Sequence, residues 1–193
     1  QNICPDNSNI LFLLGFYPSR IDQVSAISYY QKCISLNPSF FQAHVNIADI
    51  FFECGSFEDS CSAYQKALEI NPDYFQALMG LIRVHSLRLR WNECYHFSKR
   101  AFNVKPKSPE ALFWLAFSLQ KLNRNKESVS MYLKALHLKP DSAKIHFHFA
   151  CALESLGDEN TALLHFEKAT LFDSQFAVAY FNWGLLLFNK GNY

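Results

Sequence analysis

The stretch Lys144 to Cys151, with the sequence KIHFHFAC, holds the densest group of side chains that could do chemistry. His146, His148 and Cys151 could bind a transition metal, or could form a thiol with a nearby base. In a regular helix, residues two apart lie about 200° apart around the axis, so the two histidines cannot hold one ion. His148 and Cys151 share a face, but two ligands without further partners make a weak zinc site. We therefore predict no metal and no cofactor here.

No catalytic motif stands elsewhere in the sequence. The chain has no glycine-rich phosphate loop, no HExxH pair and no nucleophile elbow. The remaining histidines fall in different helical columns, and they are His44, His85, His96, His137 and His165. The sequence therefore predicts a protein that is not an enzyme.

The composition is that of a folded protein without a general attraction to polyanions. Half of the 193 residues are hydrophobic, 18% are charged and the net charge is +1. This excludes a disordered chain, and it predicts no binding to nucleic acid or to a membrane surface.

The cysteines and the apolar runs indicate where the protein resides. No C-x-x-C pair is present, which is typical of reduced cysteines that pack as small core residues; they are Cys4, Cys33, Cys54, Cys61, Cys94 and Cys151. We find no signal peptide, and the longest apolar runs are too short to span a bilayer. We therefore expect an intracellular protein, cytoplasmic or nuclear.

One interval repeats along the chain. Pro38, Pro72, Pro106 and Pro140 are evenly spaced, each 34 positions after the last, and the phrases KCISLNP, KALEINP, RAFNVKP and KALHLKP end on them. Within each interval, apolar residues recur at helical spacing twice, with a short turn between the two segments. The sequence therefore predicts an array of helix pairs.

Two columns of residues repeat in the second helix of each pair. A small residue stands where helices must approach closely, at Cys33, Ala67, Ala101, Ala135 and Ala169. A large ring stands three positions earlier, at Tyr30, Tyr64, Tyr132 and Phe166. The third helix pair departs from this pattern, with Ser98 in the ring column and Ile82 and His85 in its first helix.

These features resemble the tetratricopeptide repeat family, whose pattern is W-x2-L-G-x2-Y, then A-x3-F, then P. First-helix matches include Leu115-Ala116 with Leu119 and Trp183-Gly184 with Leu187. The resemblance implies an all-α fold, a right-handed superhelical solenoid of antiparallel helix pairs with about five and a half repeats. The chain 1–193 would be a single array, with repeats near 7–40, 41–74, 75–108, 109–142 and 143–176 and a partial repeat 177–193.

The ends of the chain are irregular. Pro5 lies one position closer to Pro38 than the repeat interval requires, and Pro18 shortens the first helix of the first repeat, so the register there is open by one residue. The chain begins with Gln1 and stops in mid-pattern at Tyr193. We expect it to be part of a longer protein.

The family binds its partners in a concave groove lined by positions two, five, six and nine of each first helix. The resemblance therefore implies a groove that is polar in its N-terminal half and aromatic in its C-terminal half. Its predicted partner-binding residues are Asn46, Asp49, Arg83, Phe113, Trp114, Phe117, Lys144, Phe147, His148, Cys151, Phe181 and Asn182.

The row Phe113, Phe147 and Phe181 has two interpretations. Burying each ring is worth roughly 2–3 kcal/mol, so an exposed row would be an anchor site for a partner. Alternatively, the rings pack between adjacent helices as additional core.

Two known grooves of the family fit poorly. The carboxylate clamp for heat-shock chaperone tails needs lysines and asparagines on successive first helices, and only Asn46 matches, because Gln76 and Gly80 stand in the next repeat. The asparagine ladder of O-GlcNAc transferase needs asparagine at position six. Asn46 and Asn182 match it, but the intervening residues are Gly80, Trp114 and His148.

Charge is unevenly distributed along the chain. Residues 41–76 carry a net charge of −5 and residues 83–107 a net charge of +6. The basic segment is either a site for an acidic partner segment or a solvated surface.

The predicted function is a non-catalytic scaffold that binds a partner peptide or subunit in its groove, through apolar or aromatic anchors and with an acidic segment as a candidate ligand. The alternative is a recruitment or regulatory domain of a larger enzyme, such as a glycosyltransferase resembling O-GlcNAc transferase. Self-association through the apolar C-terminal helix is a third hypothesis.

Overall fold

The computed structural model describes residues 23–191, and these form ten α-helices and no strand. Residues 7–22 of the predicted repeat 7–40, about half of it, lie outside the described residues, as do Pro5 and Pro18. The helices are α1 Gln23–Leu36, α2 Phe41–Glu53, α3 Phe57–Ile70, α4 Phe75–Leu87, α5 Trp91–Val104, α6 Pro109–Lys121, α7 Asn125–Leu138, α8 Ala143–Glu154, α9 Glu159–Phe172 and α10 Ala177–Asn189.

The chain divides into two compact units, Gln1–Leu89 with α1 to α4 and Arg90–Tyr193 with α5 to α10. Within each unit, every helix packs against the next helix along the chain. First helices of neighbouring repeats also touch, as α2 and α4 do in the first unit and α6 and α8 do in the second. This is the packing that the predicted helix pairs require, because a single pair cannot cover both of its apolar flanks.

The turn inside each helix pair depends on a left-handed residue that also recurs once per repeat. Gly55, Leu89, Asn123, Gly157 and Gly191 all have φ between 55° and 81°. Glycine and asparagine adopt this conformation readily, whereas leucine pays about 1–2 kcal/mol for it. The period of the sequence is therefore visible in the backbone as well as in the side chains.

Two first helices of the second unit begin at serine caps. Ser108 Oγ accepts a hydrogen bond from the Ala111 amide at 3.2 Å, and Ser142 Oγ accepts one from Ile145 at 3.4 Å. Pro109 occupies the first helical position of α6, where its missing amide hydrogen costs nothing. These caps start α6 and α8, the two helices that carry most of the candidate site.

The two predicted columns form the core. Every member of the small-residue column is fully buried, and so are the four rings of the ring column. In the third repeat Ser98 replaces the ring and satisfies its own hydroxyl, which donates to the Cys94 carbonyl at 2.6 Å. Trp91 packs edge-on against Phe117 with the ring centroids 5.6 Å apart.

The cysteines are less uniformly buried than the sequence predicts. Cys33 and Cys94 are core residues, but Cys61 and Cys151 are only partly buried. Cys54 is exposed because it follows the end of α2, and its thiol donates to Gln23 Oε1 at 3.1 Å. The described residues contain no disulfide, and Cys4 lies outside them. The same residues contain no helix long and apolar enough to cross a membrane.

One close contact fixes the residue type at position six of α4. The ring of Tyr64, which is fully buried, lies directly against Gly80, and a methyl group added there would overlap the ring. The Tyr64 hydroxyl donates to the Asp49 carboxylate, so the ring cannot swing away without losing that bond. Gly80 is therefore required by packing, although glycine is a poor helix former.

We expect Gly80→Ala to destabilise the protein by about 1–3 kcal/mol, because overpacking outweighs the gain in helix propensity. The matched control is Gly184→Ala in α10, where an added methyl group meets nothing within 4 Å. That change should stabilise by about 0.5–1 kcal/mol. Urea unfolding of both variants measures the difference, and a stabilised Gly80→Ala would show that Tyr64 is not fixed.

Candidate functional site

The polar end of the predicted groove lies in the first unit, on α2 and α4. The Tyr64 hydroxyl donates to Asp49, and the Arg83 guanidinium lies 4.2 Å from the Phe52 ring centroid. Asp49 is exposed as a residue, but its carboxylate is partly desolvated, which raises its pKa; the Tyr64 hydrogen bond and the Arg83 charge oppose that shift. Asn46 is partly buried one turn earlier on α2. Tyr64, Asp49 and Arg83 therefore hold one another in place.

The aromatic end lies in the second unit, where a set of rings and two lysines meet between α5, α6 and α8. We call it the lysine-aromatic cluster, and its members are Trp91, Phe113, Trp114, Phe117, Lys121, Lys144 and His148. Phe113 stacks on Phe117 with the ring centroids 5.7 Å apart and the planes 13° apart. Trp114 meets both rings edge-on, and His148 lies 4.9 Å from Phe117. The rings form one continuous surface.

Both lysines of the cluster lie over ring faces. Lys144 Nζ is 4.3 Å from the Phe113 centroid and 5.2 Å from that of Trp114. Lys121 Nζ is 5.3 Å from Phe117 and 5.7 Å from Trp91. Among the described residues neither lysine takes part in an ion pair. Each ammonium is therefore held in place by the rings, with its charge not neutralised by a contacting carboxylate.

His148 is neutral in this setting. Burial lowers its pKa to about 3, and the charges of Lys144 and Lys121 act in the same direction. Burial also lowers the pKa of Lys144, while Glu110 raises it. At neutral pH the cluster therefore presents two positive charges and an uncharged imidazole. Burial raises the pKa of Cys151 to about 12, which leaves its thiol unreactive.

The predicted row of three phenylalanines is not a row on the surface. Phe113 is 5% exposed and Phe147 is 9% exposed, whereas Phe181 is 70% exposed. Phe147 packs against Phe166 and Phe176, at centroid distances of 5.9 and 5.0 Å. Packing between helices, the alternative that the sequence left open, describes the first two rings. Asn182 donates from Nδ2 to the Val178 carbonyl of its own helix at 2.9 Å.

The sequence analysis did not predict a second cluster, the pair His146 and His165, because it treated His165 as isolated. His146 and His165 stack with centroids 5.0 Å apart, and their Nδ1 atoms are 2.8 Å apart. His146 Nε2 lies 2.9 Å from the Pro140 carbonyl, which can only accept, so His146 carries its proton on Nε2 and its Nδ1 accepts from His165. Phe172 also stacks on His146, with the ring centroids 5.4 Å apart.

The positions of the two histidines within the repeat could have predicted this contact. His146 and His165 occupy the fourth position of the first helix and the matching turn of the second helix, where Leu112 and Met131 stand in the preceding repeat. Burial lowers the pKa of His165 to about 4, with His146 and Lys168 acting in the same direction. The pair is therefore a neutral packing element. Within residues 23–191 no group of three or more potential ligands is arranged to hold a metal ion.

Comparison with protein families gives partial but consistent matches. A family model described as TPR repeat matches residues 48–81, and one described as tetratricopeptide repeat matches residues 25–40 and 109–142. No curated protein matches the chain significantly.

Solved structures of tetratricopeptide proteins resemble the chain over most of its length. YrrB, described as a TPR protein with an unusual peptide-binding site, has a TM-score of 0.73 and 23% identity, and the match covers 84% of each chain. A MamA structure (41-end) from Desulfovibrio magneticus RS-1 has a TM-score of 0.78 and 16% identity, and the match covers 88% of this chain and 97% of that chain. The family-model matches show that the chain contains tetratricopeptide repeats, and the solved structures show that it has the fold of tetratricopeptide repeat proteins.

Proposed function

We propose that the chain is a non-catalytic scaffold that binds a partner protein or peptide at the lysine-aromatic cluster of the second unit. One observation carries this proposal. Lys121 and Lys144 are held over aromatic faces without an ion-pair partner among the described residues. A fixed cation next to an apolar ring is suited to a partner segment that combines an acidic side chain with an apolar one.

Electrostatics and preorganisation both support this choice of partner. The acid that acts on Lys144 is Glu110, which is exposed and forms no ion pair within the part of the chain that the structure describes. The rings already pack against one another in the folded protein. Binding a partner would therefore cost little additional side-chain entropy. Trp114 and Phe117 are only partly buried and present the accessible ring surface, together with His148 and Cys151.

Phe113 and Phe147 serve this site as its packed floor. Truncating either ring to alanine would cost about 3–5 kcal/mol of stability, so those variants would not separate binding from folding. Each unit has further candidate partner contacts from the sequence: Asn46, Asp49 and Arg83 in the first unit, and Asn182 and the exposed Phe181 on α10 in the second.

The glycosyltransferase alternative gains no support from the described residues. The side chain of Asn182, one of the two matching asparagines, is engaged with the Val178 carbonyl of its own helix. That alternative remains a hypothesis from the sequence.

A test of the proposal reverses the two lysines. We expect Lys121→Glu with Lys144→Glu to reduce recovery of the partner from an extract of the source cells by at least about tenfold, because two favourable charge contacts become repulsive. The control, Lys126→Glu with Lys139→Glu, makes the same change of net charge at exposed lysines outside the cluster. Quantitative mass spectrometry measures recovery, and circular dichroism checks the fold. Equal recovery with both double variants would contradict the proposal.

Self-association through α10 is a second candidate, favoured by the exposure of that helix. The segment AVAYFNWGLLLFN contains no charged residue, and only Ala179 and Leu186 are buried. The exposed apolar side chains are Val178, Tyr180, Phe181, Leu185 and Phe188. An uncharged surface can meet a second copy of itself without like-charge repulsion, as an isologous dimer requires.

We expect the protein to sediment as a dimer at tens of micromolar, and Phe181→Lys with Leu185→Lys to sediment as a monomer. The lysines would place four like charges at the interface of the symmetric pair. Sedimentation velocity distinguishes the species. A wild-type monomer, or a variant that still dimerises, would rule out this use of α10.

A further inference from the structure

A pocket of about 440 Å³ opens on the second unit, away from the residues of the lysine-aromatic cluster. It lies where the end of α5 and the loop after it meet α6 and α7. Its floor and walls are apolar, and they consist of Phe102, Pro106, Leu112, Leu133 and Leu138. Its remaining lining residues are Lys107, Lys134 and His137, so no lining residue is acidic. The second helices α5 and α7, the loop after α5 and Leu112 of the first helix α6 form this surface, whereas the proposed partner site uses mainly first helices.

The equivalent junction one repeat further on has an aromatic ring at this position. His146 and Phe172 stand one repeat further on from Leu112 and Leu138. There the Phe172 ring stacks on His146, with centroids 5.4 Å apart and planes 17° apart. At that junction the chain supplies its own aromatic ring, which covers one face of His146 while Phe172 itself stays 45% exposed. At the pocket the smaller Leu138 stands in place of the phenylalanine and lines the pocket together with Leu112. We call the apolar space that these two residues line the notch.

The charge at the pocket rim also differs from that of the other junctions. The residues that follow the four repeat prolines are Ser39, Asp73, Lys107 and Asp141. Only this junction has a base at that position. Lys107 and Lys134 are both exposed and take part in no ion pair among the described residues. The rim therefore attracts a negative group next to whatever apolar group enters the pocket.

We propose that this pocket binds an acidic peptide segment of a partner protein, with one aromatic or large apolar side chain in the notch and a neighbouring carboxylate at Lys107 and Lys134. The pocket is open to solvent along one side, so it accepts a side chain presented by a peptide rather than enclosing a whole free ligand. The inference is independent of the proposed function, because none of the residues that line the pocket belongs to the lysine-aromatic cluster.

The test is an NMR titration of the ¹⁵N-labelled protein with the peptide acetyl-Gly-Asp-Phe-Asp-Gly-amide. We expect chemical-shift changes centred on Leu112, Leu133 and Leu138. Two peptides serve as controls: one has lysines in place of the aspartates and the other has glycine in place of phenylalanine. Both should bind at least about fivefold more weakly, since each lacks one of the two complementary features. Decanoate tests whether a free amphiphile is the better ligand.

Two variants copy the next repeat and are therefore compatible with the fold. Leu138→Phe introduces the residue that stands at the junction one repeat further on, Phe172. Its ring should occupy the notch and abolish the shifts. Lys107→Asp supplies that junction's acid and should weaken binding about fivefold. The control Lys139→Asp makes the same charge change at a residue that does not line the pocket, and affinity should stay within about twofold.

The proposal is overturned if millimolar peptide causes no shifts at the pocket, or if the lysine peptide binds as well. It is also overturned if Leu138→Phe retains binding, or if decanoate binds more tightly than the peptide. Shifts centred on Trp114 and Lys144 instead would assign the peptide to the lysine-aromatic cluster, which refutes the pocket and leaves the proposed function standing.

Discussion

A helix pair of this kind has apolar residues on both flanks and cannot cover them alone, and the packing of the described helices within each unit follows from that. The small-residue column lets the second helix approach its neighbours closely, and the ring column fills the space beside it; both are fully buried in every described repeat that has them. In one repeat the ring also fixes the residue type at position six of the next first helix. Where Tyr64 supplies the ring, Gly80 must be glycine; one repeat later, Ser98 replaces the ring and Trp114 stands in place of the glycine.

Position six of that first helix, Trp114, belongs to the candidate site. Trp114 joins Phe113 and Phe117 in the surface over which Lys144 and Lys121 lie. His148 adds to the apolar character of that surface, because burial lowers its pKa to about 3 and leaves it uncharged. The positive charge of the cluster belongs to the two lysines.

The fold was predictable from the sequence because periodicity reports on packing. The prolines, the alanine column and the rings of Tyr64, Tyr132 and Phe166 have the same roles in the structure as in the pattern. The site was less predictable, because a column position does not say how deep a side chain lies. Phe113, Phe147 and Phe181 occupy one column, yet the first two are covered by neighbouring helices and the third is not. Contacts between the two helices of one pair, such as that of His146 with His165, need the pairing register as well as the period.

Hydrogen exchange of the protein, with and without a bound partner, is the measurement that bears most closely on the proposed partner site. In the bound protein we expect slower amide exchange in α6 and α8, which carry most of the cluster. We expect little change in α9, which carries none of its residues. Protection confined to α5 and α7, or to α10, would contradict a partner site at the lysine-aromatic cluster.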